Sequence, residues 1–236
     1  MLQHVFVLTG AGVSAESGLG TFRDAGKGIW AKFDPMKLAT PEAFARDPKT
    51  VLAFYDARRR NVLAAGPNPA HVALARLEHG LAARGGRLTL VTQNVDDLHE
   101  RAGSTRVLHM HGELLKTCCL ACGMSRTWLG DLTVDDACPE CGRAGGLRPD
   151  VVWFGELPHH LDVIDRALGE ADLFVAIGTS GAVYPAAGFV AEARALGAPT
   201  CEINLEAGEN AFLFDEARYG PASEMVPKWV AELIES

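Results

Sequence analysis

No apolar run in this chain approaches the roughly 20 consecutive residues a membrane-spanning helix needs, which excludes a helical span. Cationic side chains are scarce too: Lys and Arg number 22 against 30 Asp and Glu, a formal net charge of −8. With no extended basic stretch, a broad nucleic-acid surface is not expected. The opening residues Met1-Leu2-Gln3-His4 lack the basic segment and apolar core of a secretory leader, so the expected location is cytoplasmic. Internal repeats and low-complexity tracts are missing as well, and a monomer is expected. Cysteines number only six, and four of them form two C-x-x-C pairs. In a chain without an export signal that pattern reads as metal binding rather than as disulfides.

What is present is a chain of 236 residues, 48% of them hydrophobic, enough for one large domain or one domain with a small insert. Val5-Phe6-Val7-Leu8, closed by Thr9-Gly10, is a wholly apolar run of the kind found in strands buried on both faces. Leu88–Thr92 and Leu173–Ile177 repeat that form, and Pro199–Asn204 reads as a fourth strand. Helical patterns lie between them at Pro69–Arg84, Leu161–Glu170, Pro185–Leu196 and Glu224–Ile234. Strands alternating with helices imply an α/β fold, a parallel sheet with helices on both faces. Ligands of such sheets bind beyond the carboxyl ends of the strands. The polar strand ends at Thr9–Gly12, Thr92–Asp96, Gly178–Ser180 and Asn204–Glu206 are therefore expected to converge on one cleft. Residues 22–65 and 116–148 break the alternation and together make a candidate second, smaller domain.

Cys119-x2-Cys122 and Cys138-x2-Cys141 stand 15 residues apart. Each pair makes a tight knuckle presenting two thiolates, and two knuckles complete a tetrahedron around one zinc ion. Four thiolates leave no open position, so the metal is expected to be structural. The competing readings are four unrelated thiols, a C-x3-C pairing through Cys118, or a ribbon that reads nucleic acid, which the acidic balance disfavours.

Gly10-Ala11-Gly12-Val13-Ser14-Ala15 follows the first strand in a G-x-G-x-x-A form. Glycines there let the backbone approach a pyrophosphate at a helix N-terminus, and a structural tight turn is the alternative. No strand ending in Asp or Glu follows about 20 residues later, as a simple dinucleotide unit requires. The chain instead enters Gly20-Thr21-Phe22-Arg23-Asp24-Ala25-Gly26, which reads as a lid.

Four more segments join the glycine loop and the cysteine pairs, in order: Thr92-Gln93-Asn94-Val95-Asp96-Asp97-Leu98-His99, His109-Met110-His111-Gly112-Glu113, Val151-Val152-Trp153-Phe154-Gly155-Glu156 and Gly178-Thr179-Ser180. In this combination, from about residue 5 to about residue 230, the chain resembles the sirtuins. That resemblance implies an NAD-dependent protein-lysine deacylase with a Rossmann-like large domain (1–21, 66–115, 149–236). It implies a small domain with a helical part (22–65) and a zinc-bearing part (116–148). NAD is then a co-substrate and the partners are acyl-lysine proteins or peptides. The acyl oxygen attacks the ribose carbon as nicotinamide leaves, and a ribose hydroxyl then attacks the resulting imidate.

By the same resemblance His111 is the base that activates the hydroxyl, a task suited to an imidazole, and His109 is a bystander. Asn94 and Asp96 line the nicotinamide and ribose pocket, with helix capping as the plainer alternative, and Gln93 contacts a ribose. Gly10, Ala11, Gly12, Phe22 and Arg23 lie along the phosphates and nicotinamide ribose. Gly178, Thr179, Ser180 and Asn204 hold the adenosine half, with the backbone of Ala222-Ser223 at the adenine edge. Val152, Phe154 and Gly155 belong to a segment that pairs with substrate backbone, Phe154 lining the acyl-lysine tunnel. Glu113 departs from the family's usual Ser after His-Gly.

Tyr55 and Arg58 are three residues apart in a predicted helix and so share one face. A phenol beside a guanidinium makes a carboxylate clamp. In the sirtuin subgroup that removes acidic acyl groups, such a Tyr-x-x-Arg pair grips succinyl- or malonyl-lysine, and Ala39 matches a small residue that widens the pocket. The expected activity covers acetyl and succinyl groups. Protein mono-ADP-ribosyl transfer and a non-catalytic NAD-sensing module are the other classes to be weighed.

Overall fold

Along the first strand successive side chains point to opposite faces of a sheet, so Val5 and Val7 enter one apolar layer while Phe6 and Leu8 enter another. The computed structural model describes residues 2–21 and 34–235. Its strands are β1 (His4–Thr9), β2 (Arg87–Thr92), β3 (Val107–His109), β4 (Gly112–Cys119), β5 (Ser125–Thr127), β6 (Leu147–Val151), β7 (Leu173–Ile177), β8 (Thr200–Asn204) and β9 (Glu216–Tyr219). Six of them form a parallel sheet in the order β3-β2-β1-β7-β8-β9, as expected of a Rossmann-like fold.

The longer helices are α1 (Pro41–Arg46), α2 (Pro48–Ala64), α3 (Pro69–Ala83), α4 (Leu98–Arg101), α5 (Leu161–Gly169), α6 (Phe189–Ala195) and α7 (Ala222–Glu235). Helices α3 and α7 cover the face that carries Val5, Val7, Leu90 and Ile177. Helices α5 and α6 cover the face that carries Phe6, Leu8, Phe174 and Ala176. Capping sets where helices begin. Asn68 accepts from the Ala70 amide ahead of Pro69, and Asp47 accepts from the Thr50 amide ahead of Pro48.

A second, antiparallel sheet has the order β5-β4-β6. It packs with α1 and α2 around a separate core that contains Tyr55, Leu114, Cys119, Cys138 and Trp153. Gly112 is what lets β4 run tight against β6. Its φ is +78°, and a Cβ there would lie 2.2 Å from the Asp150 carbonyl oxygen, so no other residue fits after His111.

The local picture changes in two respects. The helix expected at Pro185–Leu196 begins as a short 3-10 turn, Ala186–Gly188, and becomes α-helical only at Phe189, in keeping with the weak helix propensity of Gly188. Strands β3 and β9 of the parallel sheet, and β4, β5 and β6 of the second sheet, were not foreseen. β9 is an edge strand of Glu-Ala-Arg-Tyr with no apolar run to mark it, and its place is set by pairing with β8. Among the described residues no helix is long and apolar enough to cross a membrane.

Candidate active site

The order of the parallel sheet reverses between β1 and β7, and a crevice opens beyond their carboxyl ends. The loops leaving these strands lie against each other. The Gly10 amide donates to the Ile177 carbonyl and the Gly12 amide to the Gly178 carbonyl, each at 2.9 Å. A Cβ on Gly12 would sit 2.7 Å from the Gly178 Cα, and one on Gly10 would sit 2.7 Å from the Gly178 oxygen. Both glycines are thus required by the β1–β7 contact. That amends the sequence expectation in one respect: the Gly12 amide is already used within the chain, and Ala11–Ser17 forms a 3-10 helix rather than an α-helix.

These loops floor a cleft of about 970 Å³, which Gly10, Ala11, Gly12, Gln93, Asn94, His111, Gly178, Thr179, Ser180, Asn204 and Ala222 line. Ala39, Tyr55, Arg58, Val152, Phe154 and Gly155 line its other end. Asp96 faces an adjoining cavity of about 70 Å³ together with Ser14, Arg58 and Asn94. Phe22 and Arg23 lie outside the described residues. Volume, strand-end position and glycine-lined floor fit a dinucleotide.

His111 half-emerges into the cleft from the turn between β3 and β4. Its Nδ1 lies 3.1 Å from the Gln93 carbonyl, an acceptor only, so Nδ1 carries the proton and Nε2 keeps its lone pair. Burial lowers its pKa, the Gln93 carbonyl opposes this, and His159 adds to the lowering. The ring is therefore a neutral base at neutral pH.

His109 is buried rather than solvated. Its Nδ1 lies 3.3 Å from the Asn94 carbonyl and its Nε2 2.7 Å from Glu100 Oε1. Burial lowers its pKa, but the Glu100 hydrogen bond and charge outweigh it and raise the pKa overall. Both nitrogens donate, and the imidazolium ties the Asn94 backbone to α4.

A polar network that the sequence reading missed lies under the cleft floor. Asn94 Nδ2 donates to the Gly10 carbonyl (3.2 Å) and to Ser14 Oγ (3.1 Å), and Ser14 in turn donates to Asp96 Oδ2 (3.1 Å). His71 Nδ1 accepts the Asn68 amide at 3.2 Å, so its Nε2 donates to Ser14 Oγ at 3.3 Å. Asp96 also accepts the Leu98 amide at 3.2 Å from one residue ahead of the α4 N-cap, Asp97, which makes no side-chain cap of its own. Burial raises the Asp96 pKa, against the Leu98 and Ser14 hydrogen bonds. Ser14 was detectable only as a polar residue inside an apolar turn.

At the far end, Asn204 Nδ2 donates to the Thr179 carbonyl at 2.7 Å, joining the ends of β7 and β8. Ser223, next to Ala222, has its amide and hydroxyl taken by Glu16 at 2.8 and 2.7 Å. In the opposite direction the segment after β6 is held firmly. The Val152 amide donates to the His111 carbonyl and the Phe154 amide to the Ala39 carbonyl, each at 2.9 Å. Tyr55 is buried beside it, and the Arg58 guanidinium carbon lies 5.5 Å from the Tyr55 ring centroid and 5.6 Å from that of Phe54.

The four cysteines of the two knuckles come together away from the cleft, their sulfurs all within 4.8 Å of one another. Cys119 and Cys141 are 3.8 Å apart, and Cys122 and Cys138 3.7 Å. A tetrahedron with Zn–S bonds of about 2.3 Å has S···S edges of about 3.8 Å, so the quartet is suited to zinc. Backbone amides of Ala121 and Cys122 bring the Cys119 thiol down to about 7, toward the thiolate a metal requires. Cys118 points elsewhere, and burial pushes its thiol up to about 11.

Comparison with known proteins adds to this geometry. The description of the Sir2 family matches residues 10–185. The chain is 62% identical over 233 residues to an NAD-dependent protein deacylase of Caulobacter vibrioides, covering 99% of this chain and 98% of that protein. A solved Sir2 homologue–NAD complex superposes with a TM-score of 0.88 at 39% identity, covering 99% of this chain and 90% of that one. A Sir2 protein bound to an acetylated peptide superposes with a TM-score of 0.83 at 27% identity, covering 100% and 95%.

Proposed function

Because this chain belongs to the Sir2 family, we propose that it is an NAD-dependent protein-lysine deacylase that removes acetyl and succinyl groups, malonyl being a further candidate. The observation that carries this reading is one continuous cleft joining the glycine loop, His111 and the Tyr55–Arg58 pair. Bound NAD supplies the ribose carbon to which the acyl oxygen is transferred.

This chain's own residues do the remaining work. His111 Nε2, neutral and facing the cleft, takes the proton of a sugar hydroxyl. Gln93 fixes the tautomer that makes this possible, since its carbonyl holds the Nδ1 proton. Asn94, lining the cleft, and Asp96, lining the cavity beside it, would meet the sugar and carboxamide, both held in place by Ser14. Thr179, Ser180, Asn204 and Ala222 receive the adenosine half. Val152, Phe154 and Gly155 guide the acyl-lysine, and the clamp of Tyr55 and Arg58 receives a distal carboxylate beside Ala39. The zinc knuckles stiffen the core that carries Tyr55 and take no part in the chemistry. On this reading the small domain comprises residues 22–65 and 116–148, and the enzyme works as a cytoplasmic monomer.

Nicotinamide release from NAD with peptides carrying acetyl- or succinyl-lysine tests the assignment. Arg58→Ala should lower kcat/KM for the succinyl peptide by about 10- to 100-fold, the range for losing a hydrogen bond to a charged group, and the acetyl peptide far less. Equal loss on both peptides removes the clamp reading. A modified protein in place of O-acyl-ADP-ribose would identify ADP-ribosyl transfer instead.

A further inference from the structure

We propose that Trp153 is a positioning residue for acyl selectivity, its indole N–H orienting the Tyr55 hydroxyl so that the phenolic proton is offered to an acidic acyl group in the cleft. This rests on the clamp assignment above. Trp153 Nε1 lies 2.9 Å from the Tyr55 hydroxyl, and both side chains are buried. The two residues are 98 positions apart in sequence, so no local motif announces the pair.

Donors and acceptors decide where the phenolic proton points. An indole N–H can only donate, so the phenolic oxygen must accept from it. That leaves the Tyr55 proton free to point elsewhere, and both Tyr55 and Arg58 line the cleft. Burial raises the Tyr55 pKa, with Arg58 and Trp153 opposing, so the phenol keeps its proton. A carboxylate only accepts, and it gains from that proton, whereas an acetyl methyl offers it nothing.

The indole itself cannot swing away. The Arg148 guanidinium carbon lies 3.7 Å from the Trp153 ring centroid, and the Phe44 ring centroid lies 5.4 Å from it. Glu156 holds Arg148 through both carboxylate oxygens at 2.6 and 2.8 Å and accepts the Trp153 amide at 2.8 Å. A chain of contacts therefore runs from Glu156 through Arg148 and Trp153 to Tyr55. Without the indole donor the hydroxyl would rotate and its proton would no longer be aimed.

The test compares kcat and KM on one peptide bearing either succinyl- or acetyl-lysine, for wild type, W153F, Y55F, the double variant and R58A. W153F should lower the succinyl-to-acetyl ratio of kcat/KM by about three- to tenfold, the worth of one neutral hydrogen bond, through a raised KM for the succinyl peptide. In the Y55F background W153F should change that ratio no further. The ratio is internal to each variant, so partial loss of folded enzyme cancels. An unchanged ratio in W153F, or an equal drop in the Y55F background, overturns the proposal while a reduced ratio in R58A leaves the clamp standing. An unchanged ratio in R58A, or a wild type inert toward succinyl-lysine, removes the clamp reading and this proposal with it.

Discussion

Acid should destabilise this protein well above the range in which carboxylates titrate, and His71 is the reason. The ring is fully buried, its Nδ1 accepts the Asn68 amide and its Nε2 donates to Ser14. Protonating Nδ1 would put a charge in a site where, among the described residues, no carboxylate touches the ring, and would break the Asn68 hydrogen bond. Burial accordingly lowers its pKa from 6.5 to about 4. Between those values the unfolded chain binds a proton that the folded chain refuses, so stability falls as pH falls. One pKa unit corresponds to about 1.4 kcal/mol, so a shift from 6.5 to about 4 is worth about 3 kcal/mol. His99, buried against His71 with its rings 4.9 Å apart, shifts in the same direction. His109, whose pKa is raised, acts oppositely and only above the ordinary histidine range.

Urea unfolding of wild type and His71→Gln between pH 5 and 6.5 provides the measurement. Gln offers both an acceptor and a donor but does not titrate. The wild-type unfolding free energy should decline toward pH 5, and the variant's decline should be shallower by about 1 kcal/mol per pH unit on average, approaching the one-proton limit of about 1.4 near pH 5. Identical slopes in the two proteins would refute the argument, whatever their absolute stabilities.

Two further outcomes follow from the site. His111→Ala should abolish turnover while leaving NAD binding, measured by calorimetry, and the melting temperature largely intact; in wild type the acid limb of kcat/KM should fall below the ordinary histidine value of about 6.5, because burial lowers the His111 pKa. Chelation that yields verified zinc-free protein should remove activity, since Cys119 and Cys138 belong to the same core as Tyr55 and Trp153; undiminished activity in that form would show that the quartet does not support the cleft.

The sequence by itself determined whatever depends on local spacing and periodicity. Apolar runs marked β1 and β7 and a largely apolar one β2, because strands buried on both faces need no polar alternation, while β8 was read from the shorter pattern Pro199–Asn204. Two knuckles 15 residues apart marked the cysteine quartet, and the glycine-rich and polar ends of the strands marked the cleft. Tertiary structure alone decided which partners these groups meet across long separations. Gly12 is glycine because Gly178 lies against it, and Ser14 is shared by His71, Asn94 and Asp96, which are 57, 80 and 82 positions away. Nothing in the sequence shows that Glu100 and the Asn94 carbonyl enclose His109. The Trp153–Tyr55 hydrogen bond likewise joins the segment after β6 to helix α2, 98 positions away, within one core. Such pairs depend on strand register and helix packing, which no short-range pattern encodes.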